Sequence, residues 1–399
     1  MNPQGEPEPE SDEPNPQAPA DIVLAAARWF EFGGMQRTYL RIAKSLHARG
    51  RKLKLCVSRW DGPHPDFAEL REFGVEGLSN HERNAAFAKN LAAEVAKSPR
   101  ALVVGFTKVS GLDLYYAADP CFNQRVSAAT FGFARRLLPR YRELIRQEQA
   151  VFAQGEKTQV MLIAHGQQQV FQRYYQTESE RFHLMPPGID RVRLDEGLAR
   201  PFSAAAFRES LGLKPSDRVF LTLGSGFKTK GVDRTLRALS RIPVHKRQGL
   251  VFVVVGEGKV KALERQADLV GVPLVATGPR ADVVDFYRAA ECLLHPARVE
   301  NTGTSLIEAM YCGLPVLCTE NCGFADHVRA AGAGTVMKEP FDLGRYTLAL
   351  EKRLLAEDRE ALAAAGRAYT REHDLYGLIE AAADLIEAQA DAKAVAISS

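Results

Sequence analysis

Short apolar runs punctuate this chain at intervals, and between them the apolar residues recur with helical spacing. The runs at 22–27, 53–58, 101–105 and 160–164 carry almost no polar positions. Uninterrupted runs of this length read as strands buried on both faces, the mark of a parallel sheet. Residues 35–49 have the helical period and close on Gly50. With the runs on either side they make a strand, a glycine turn, a helix and a second strand, a βαβ unit. The same grammar restarts after residue 190. Strands are predicted at 218–224, 250–256, 273–276, 292–295 and 315–319, with helices at 232–241 and 305–311. Further helices are expected at 358–372 and 378–390. Two doubly wound α/β domains facing one cleft are the architecture this alternation implies.

Punctuation sets the boundaries. Met185-Pro186-Pro187-Gly188-Ile189 interrupts helix and sheet alike, so the first domain is placed at 21–187 and the second at 188–370. Residues 371–399 are expected to form a helix that packs back toward the first domain. Residues 1–20 hold six prolines and five acids and almost no apolar mass, and read as a disordered tail.

Composition narrows the class. Of 399 residues 46% are hydrophobic and 25% charged, which excludes fibrous and wholly disordered chains. The net charge of +3 does not point to nucleic acid. No run approaches the ~18 apolar residues of a membrane span, and the acidic, proline-rich start is unlike a secretory signal. The six cysteines form no CxxC pair, and the cluster Cys312, Cys318, Cys322 with His327 matches no zinc spacing. Free thiols and a cytoplasmic location are expected.

Five segments carry candidate chemistry. Phe32-Gly33-Gly34 lies between the first strand and the first helix, where glycines suit either close ligand approach or a plain turn. Gly224 to Gly231, with Lys228 and Lys230, lies between a strand and a helix start and favours a diphosphate over two solvated lysines. In Glu300-Asn301-Thr302-Gly303-Thr304-Ser305-Leu306-Ile307-Glu308, two carboxylates flank a glycine turn and a helix start. Carboxylates accept paired hydrogen bonds from vicinal sugar hydroxyls, although Glu308 also suits a helix dipole. Asp119, before Pro120, is either a turn former or a group facing the cleft. Residues 122–152 hold six arginines among aromatic and aliphatic residues, a basic amphipathic stretch divided by Pro139. It suits either an anionic membrane surface, through Arg135, Arg136 and Arg140, or a packed helix with a solvated face.

The Glu300/Glu308 spacing, the Lys228/Lys230 loop and the Gly33-Gly34 turn resemble the retaining glycosyltransferases of family 4. So do FEFGGMQRTYLRIA (30–43), SNHERNAAF (79–87), VVGFTKVSGLDLYYAAD (103–119), YYQTESERFHLMPPGI (174–189), GSGFKTKGVDR (224–234) and ENTGTSLIEAMYCGLPVL (300–317). The resemblance implies a GT-B fold of two Rossmann-like domains, the first binding an acceptor and the second a nucleotide sugar. Within that family the likeness is to members that glucosylate lipopolysaccharide. It implies UDP-glucose as donor, the inner-core heptose of a lipid A-core acceptor, and peripheral attachment to the anionic cytoplasmic face of the inner membrane. Lys230, helped by Lys228, and Arg193 would hold the diphosphate. Glu308 would take the ribose and Glu300 the donor sugar. Asn301, Thr302, Gly303, Thr304 and Gly224 would add backbone contacts, with Gly33 and Gly34 approaching from the first domain. Asp119 and Glu300 are the catalytic candidates, and His81, Arg83 and Asn84 would line the acceptor side. With no DxD triplet in the chain, neither a metal nor another cofactor is expected; the UDP-sugar enters as co-substrate. Transfer to another glycan from another sugar donor, or nucleotide-sugar binding without catalysis, are the alternatives.

Overall fold

The computed structural model describes residues 21–31, 33–74, 79–127, 132–355 and 357–398. The tail at 1–20, together with Phe32 and Phe131, lies outside them. The first sheet is built from β1 (Ile22–Phe30), β2 (Leu53–Asp61), β3 (Glu69–Glu72), β4 (Leu102–Gly105), β5 (Leu114–Tyr116), β6 (Gln159–Leu162) and β7 (Phe182–Leu184). They pair in parallel in the order β3-β2-β1-β4-β5-β6-β7. The second is built from β8 (Arg218–Leu223), β9 (Leu250–Val255), β10 (Leu274–Gly278), β11 (Ala290–His295), β12 (Val316–Thr319) and β13 (Gly334–Met337). Its order is β10-β9-β8-β11-β12-β13, again parallel.

Both faces of each sheet are covered, which is why the strands are apolar without alternation. In β1, Ile22, Leu24 and Ala26 pack with the helix Gly34–Ala48, while Val23 and Ala25 pack on the other side with Phe87, Phe152 and Phe171. In the second sheet Val219 and Leu221 face one core, and Phe220 faces the other with Phe252 and Val254. The strands that the apolar runs do not announce are β3, β5, β7 and β13. Three of them are sheet edges with half-exposed residues, and β5 is only three residues long.

Residues 122–152 do not form one amphipathic stretch. Short helices at Phe122–Ser127 and Gly132–Arg136 precede a longer one, Pro139–Phe152, with Pro139 in its first turn, where the missing N–H costs nothing. The end of that helix is core: Val151 and Phe152 are buried. Glu148 is fully buried too, paired with Lys108 at 2.6 Å and accepting from the Tyr175 hydroxyl at 2.6 Å.

The chain crosses from the first domain to the second at 185–189 and returns after the helix Arg359–Glu372. The last helix, Leu378–Ser398, then lies on the first domain, where Leu378, Ile379, Ala382, Ala383, Ile386 and Ala390 join the core beside the helix Gly34–Ala48. Its acidic face meets two arginines: Arg49 pairs with Asp384 (2.6 Å) and Glu387 (2.8 Å), and Arg51 with Glu387 (3.0 Å) and Asp391 (2.7 Å). These pairs are partly exposed and add little each; the apolar seam holds the helix. Replacing the fully buried Ile386 by alanine is expected to cost about 2–5 kcal/mol, read as an earlier urea transition of the first domain. Leu348→Ala, at a side chain 68% exposed in the second domain, is expected to shift that domain's own transition by no more than about 0.5 kcal/mol.

Candidate functional site

Parallel strands all end at one edge, and ligand sites gather there. Here the two carboxyl edges face each other across a cleft with a cavity of about 470 Å3. Gly33, Gly34 and Arg37 line it from the first domain, and Gly224, Lys230, Glu300, Gly303, Thr304 and Glu308 from the second.

The loop after β8 carries Lys230. Gly224 has φ +124° and lies under the lysine stem, where a β-carbon would sit 3.1 Å from Cε. A side chain there would be strained and would crowd the ammonium. The helical turn Phe227–Lys230 buries Phe227 and turns Lys230 inward, which sends Lys228 out to solvent. Lys228 therefore does not line the cleft with Lys230; its backbone carbonyl accepts from Arg298 at 2.7 Å.

Lys230 donates to Glu300 Oε2, and His295 Nε2 lies 3.2 Å from the same oxygen. His295, at the end of β11, is fully buried. Burial, with the Lys230 charge nearby, holds its pKa well below the usual value, so the ring is neutral. Burial also pulls the Lys230 ammonium down, to about 8, against a smaller upward pull from Cys322.

Glu308 sits one turn into the helix Thr304–Tyr311, which starts at Gly303 with φ +83° and no side-chain cap. Its first N–H groups are thus free to meet an anion. Arg193 donates to Glu308 Oε1, and the Tyr287 hydroxyl donates to Oε2 at 2.9 Å. Burial and the Glu308 charge raise the Tyr287 pKa far above normal, which keeps it a donor. Arg193, expected on the diphosphate, is thus committed to the carboxylate expected on the ribose. Arg37 lines the cleft near this group. Its enclosure and the Arg193 charge lower its pKa. Nothing in the spacing of the sequence marks Arg37, Tyr287 or His295, because each reaches the site through the fold.

Asn301 bridges the domains, donating to the carbonyls of Ala117 (2.9 Å) and Ala118 (2.7 Å). Thr302 lines the cleft as well. A β-carbon at Gly33 would collide with Gln36, whereas Gly34 has open space where a side chain would be; both glycines line the cleft.

The acceptor-side residues are placed unevenly. Asp119 and Asn84 line a neighbouring cavity of about 240 Å3 with Lys108 and Arg125, beside the donor cleft rather than in it. His81 and Arg83 line neither cavity. Ser79 and Glu82 form a capping box, and His81 Nδ1 lies 2.7 Å from the Ser79 hydroxyl. Arg83 turns back to Asn80. This part of the segment serves a helix start. Among the described residues no group of three or more His, Cys, Asp or Glu is arranged to hold a metal ion.

Residues 203–369 match the family model for glycosyl transferases group 1. The lipopolysaccharide glucosyltransferase WaaG of Escherichia coli K12 is 39% identical over 370 residues, 92% of this chain and 98% of that protein. A crystal structure of WaaG, a glycosyltransferase involved in lipopolysaccharide biosynthesis, superposes with a TM-score of 0.86 at 38% identity, over 92% of this chain and 99% of the other. Anabaena HepE, solved in complex with UDP-glucose, shares the fold at a TM-score of 0.67 and 15% identity, over 93% and 99% of the two chains. With its two parallel sheets facing one cleft, this chain has the GT-B fold and belongs to the group 1 glycosyltransferases, the family of the Escherichia coli lipopolysaccharide glucosyltransferase.

Proposed function

We propose that this glycosyltransferase moves glucose from UDP-glucose to a heptose of the lipopolysaccharide inner core, with retention at the anomeric carbon. One observation carries the reading: a single cleft gathers Lys230, Glu300 and Glu308 in a chain that is 39% identical to a lipopolysaccharide glucosyltransferase along nearly its whole length.

The geometry supports a division of roles. Glu308, its two oxygens fixed by Arg193 and Tyr287, keeps lone pairs for the vicinal ribose hydroxyls. Lys230 and the uncapped start of the helix Thr304–Tyr311 meet the diphosphate, whose charge grows as the glycosidic bond breaks. Glu300 receives the hexose. The bond from the anomeric carbon to the diphosphate breaks as the bond to the acceptor oxygen forms on the same face, and a diphosphate oxygen takes the acceptor's proton. Asp119 lines the adjoining cavity, which supports a role toward the acceptor over that of a covalent nucleophile. Arg193 acts through Glu308 and not directly on phosphate.

The acceptor sits in a membrane, and no described helix is long and apolar enough to cross one. Attachment through 133–140 fits this need. Phe133 is 83% exposed, Leu137 67% and Leu138 52%, beside Arg135 and Arg140, which have no ion pair among the described residues. Arg136 differs: it donates to Asn123 and Ser127, each at 2.7 Å, and ties two short helices together. The anionic cytoplasmic face of the inner membrane is the surface proposed.

Three outcomes test the reading. Incubation with several UDP-sugars and a lipopolysaccharide truncated at the inner core is expected to add one hexose from UDP-glucose, seen by mass spectrometry. Labelling of a different acceptor alone, or UDP binding without turnover, would favour the rival readings. Raising the pH through about 8 is expected to weaken UDP binding, because Lys230 loses its proton there and the neutral amine no longer offsets the diphosphate; calorimetry on Lys230→Arg is expected to flatten this limb. Arg135→Glu with Arg140→Glu is expected to abolish flotation with anionic liposomes while leaving turnover of a soluble acceptor fragment unchanged.

A further inference from the structure

The proposed chemistry accounts for Lys230, Glu300 and Glu308, but it leaves a fully buried histidine in direct contact with one of them. His295 ends β11 in the middle of the second sheet and exposes no surface. Its Nε2 lies 3.2 Å from Glu300 Oε2. A carboxylate only accepts, so Nε2 carries the ring's proton and Nδ1 is left as a lone pair. Nδ1 is buried and has no hydrogen-bond partner among the described residues. A buried ring with an unsatisfied nitrogen is costly to keep, and an apolar residue would fill a strand end more cheaply.

The arrangement around Glu300 explains why it is kept. Oε2 takes both chain donors, Lys230 and His295, while Oε1 has no partner among the described residues and belongs to a side chain that lines the cleft. Lys230 is also the cation that the diphosphate needs. When the ammonium turns to phosphate, its hold on the carboxylate weakens. The imidazole N–H, fixed by burial and neutral, stays where it is. We propose that His295 is a positioning residue: it clamps Glu300 through Oε2 so that Oε1 meets a hydroxyl of the donor hexose. The inference rests on the reading of Glu300 as the sugar-binding carboxylate, and it adds the group that fixes its orientation.

The test compares His295→Gln with His295→Met. The two replacements are nearly the same size and shape, and only glutamine keeps an N–H donor at the reach of Nε2. Calorimetry with UDP and with UDP-glucose, together with turnover of UDP-glucose on truncated lipopolysaccharide, gives the readout for the full chain. UDP has no hexose, so its affinity is expected to stay within about twofold of the parent in both variants. His295→Met is expected to lose the extra affinity that the glucose confers, and to lower kcat by about 10- to 100-fold, the range for a hydrogen bond to a charged group. His295→Gln is expected to recover most of both. Equal behaviour of the two variants, or a fall in UDP affinity that matches the fall for UDP-glucose, would overturn the proposal and leave His295 as packing. If the parent transfers no glucose yet binds UDP-glucose more tightly than UDP, and only His295→Met loses that margin, the acceptor assignment fails and the clamp stands.

Discussion

A parallel sheet has only one edge at which its strands end, and this geometry decides where chemistry can sit. Each βα turn on that edge delivers a loop and a helix start, with N–H groups free to meet an anion. Two such sheets in one chain, turned edge to edge, bring the Gly33-Gly34 turn opposite the Lys230 loop and the Glu300–Glu308 segment. The apolar faces of the strands are consumed by packing on both sides, so the site is built almost wholly from the turns and helix starts at their carboxyl ends.

Charge in such a cleft is partly stripped of water and must be answered locally. Glu300 is answered by Lys230 and a neutral imidazole, and Glu308 by a guanidinium and a phenol. Each carboxylate thus has one charged and one uncharged partner. The charged partner offsets its charge; the uncharged one gives it direction without adding net charge where a diphosphate must be held.

The fold is legible in the sequence wherever strands are buried on both faces, as in 218–224 and 250–256. It is not legible at β3, β7 and β13, edge strands whose residues are all half-buried or exposed. The donor site is legible because its residues are close in the chain: Glu300 to Glu308 and Gly224 to Lys230 each span one βα turn. Lys228 is misplaced by spacing alone, which does not say which way a single helical turn faces. The contact of Arg193 with Glu308 is not legible, because its partner lies 115 residues away. Tyr287 and His295 leave no mark in the sequence, since each meets its glutamate only once β11 and its neighbours have assembled. In the SNHERNAAF stretch, expected to serve the acceptor, the capping pair Ser79 and Glu82 offers a purely local account of its first residues.

The two passages between the domains lie side by side. Ile189 N–H donates to Leu375 O at 3.1 Å, Leu378 N–H to Pro187 O at 3.2 Å, and Gly188 is packed against Leu378 so closely that a β-carbon would lie 2.4 Å from that side chain. Two neighbouring strands of chain, fastened to each other, act as the pin of a door: they permit swing about one line and resist twist and slide. The Asn301 bonds to Ala117 and Ala118 join the same two domains, so a swing about this line that parts those segments has to break them.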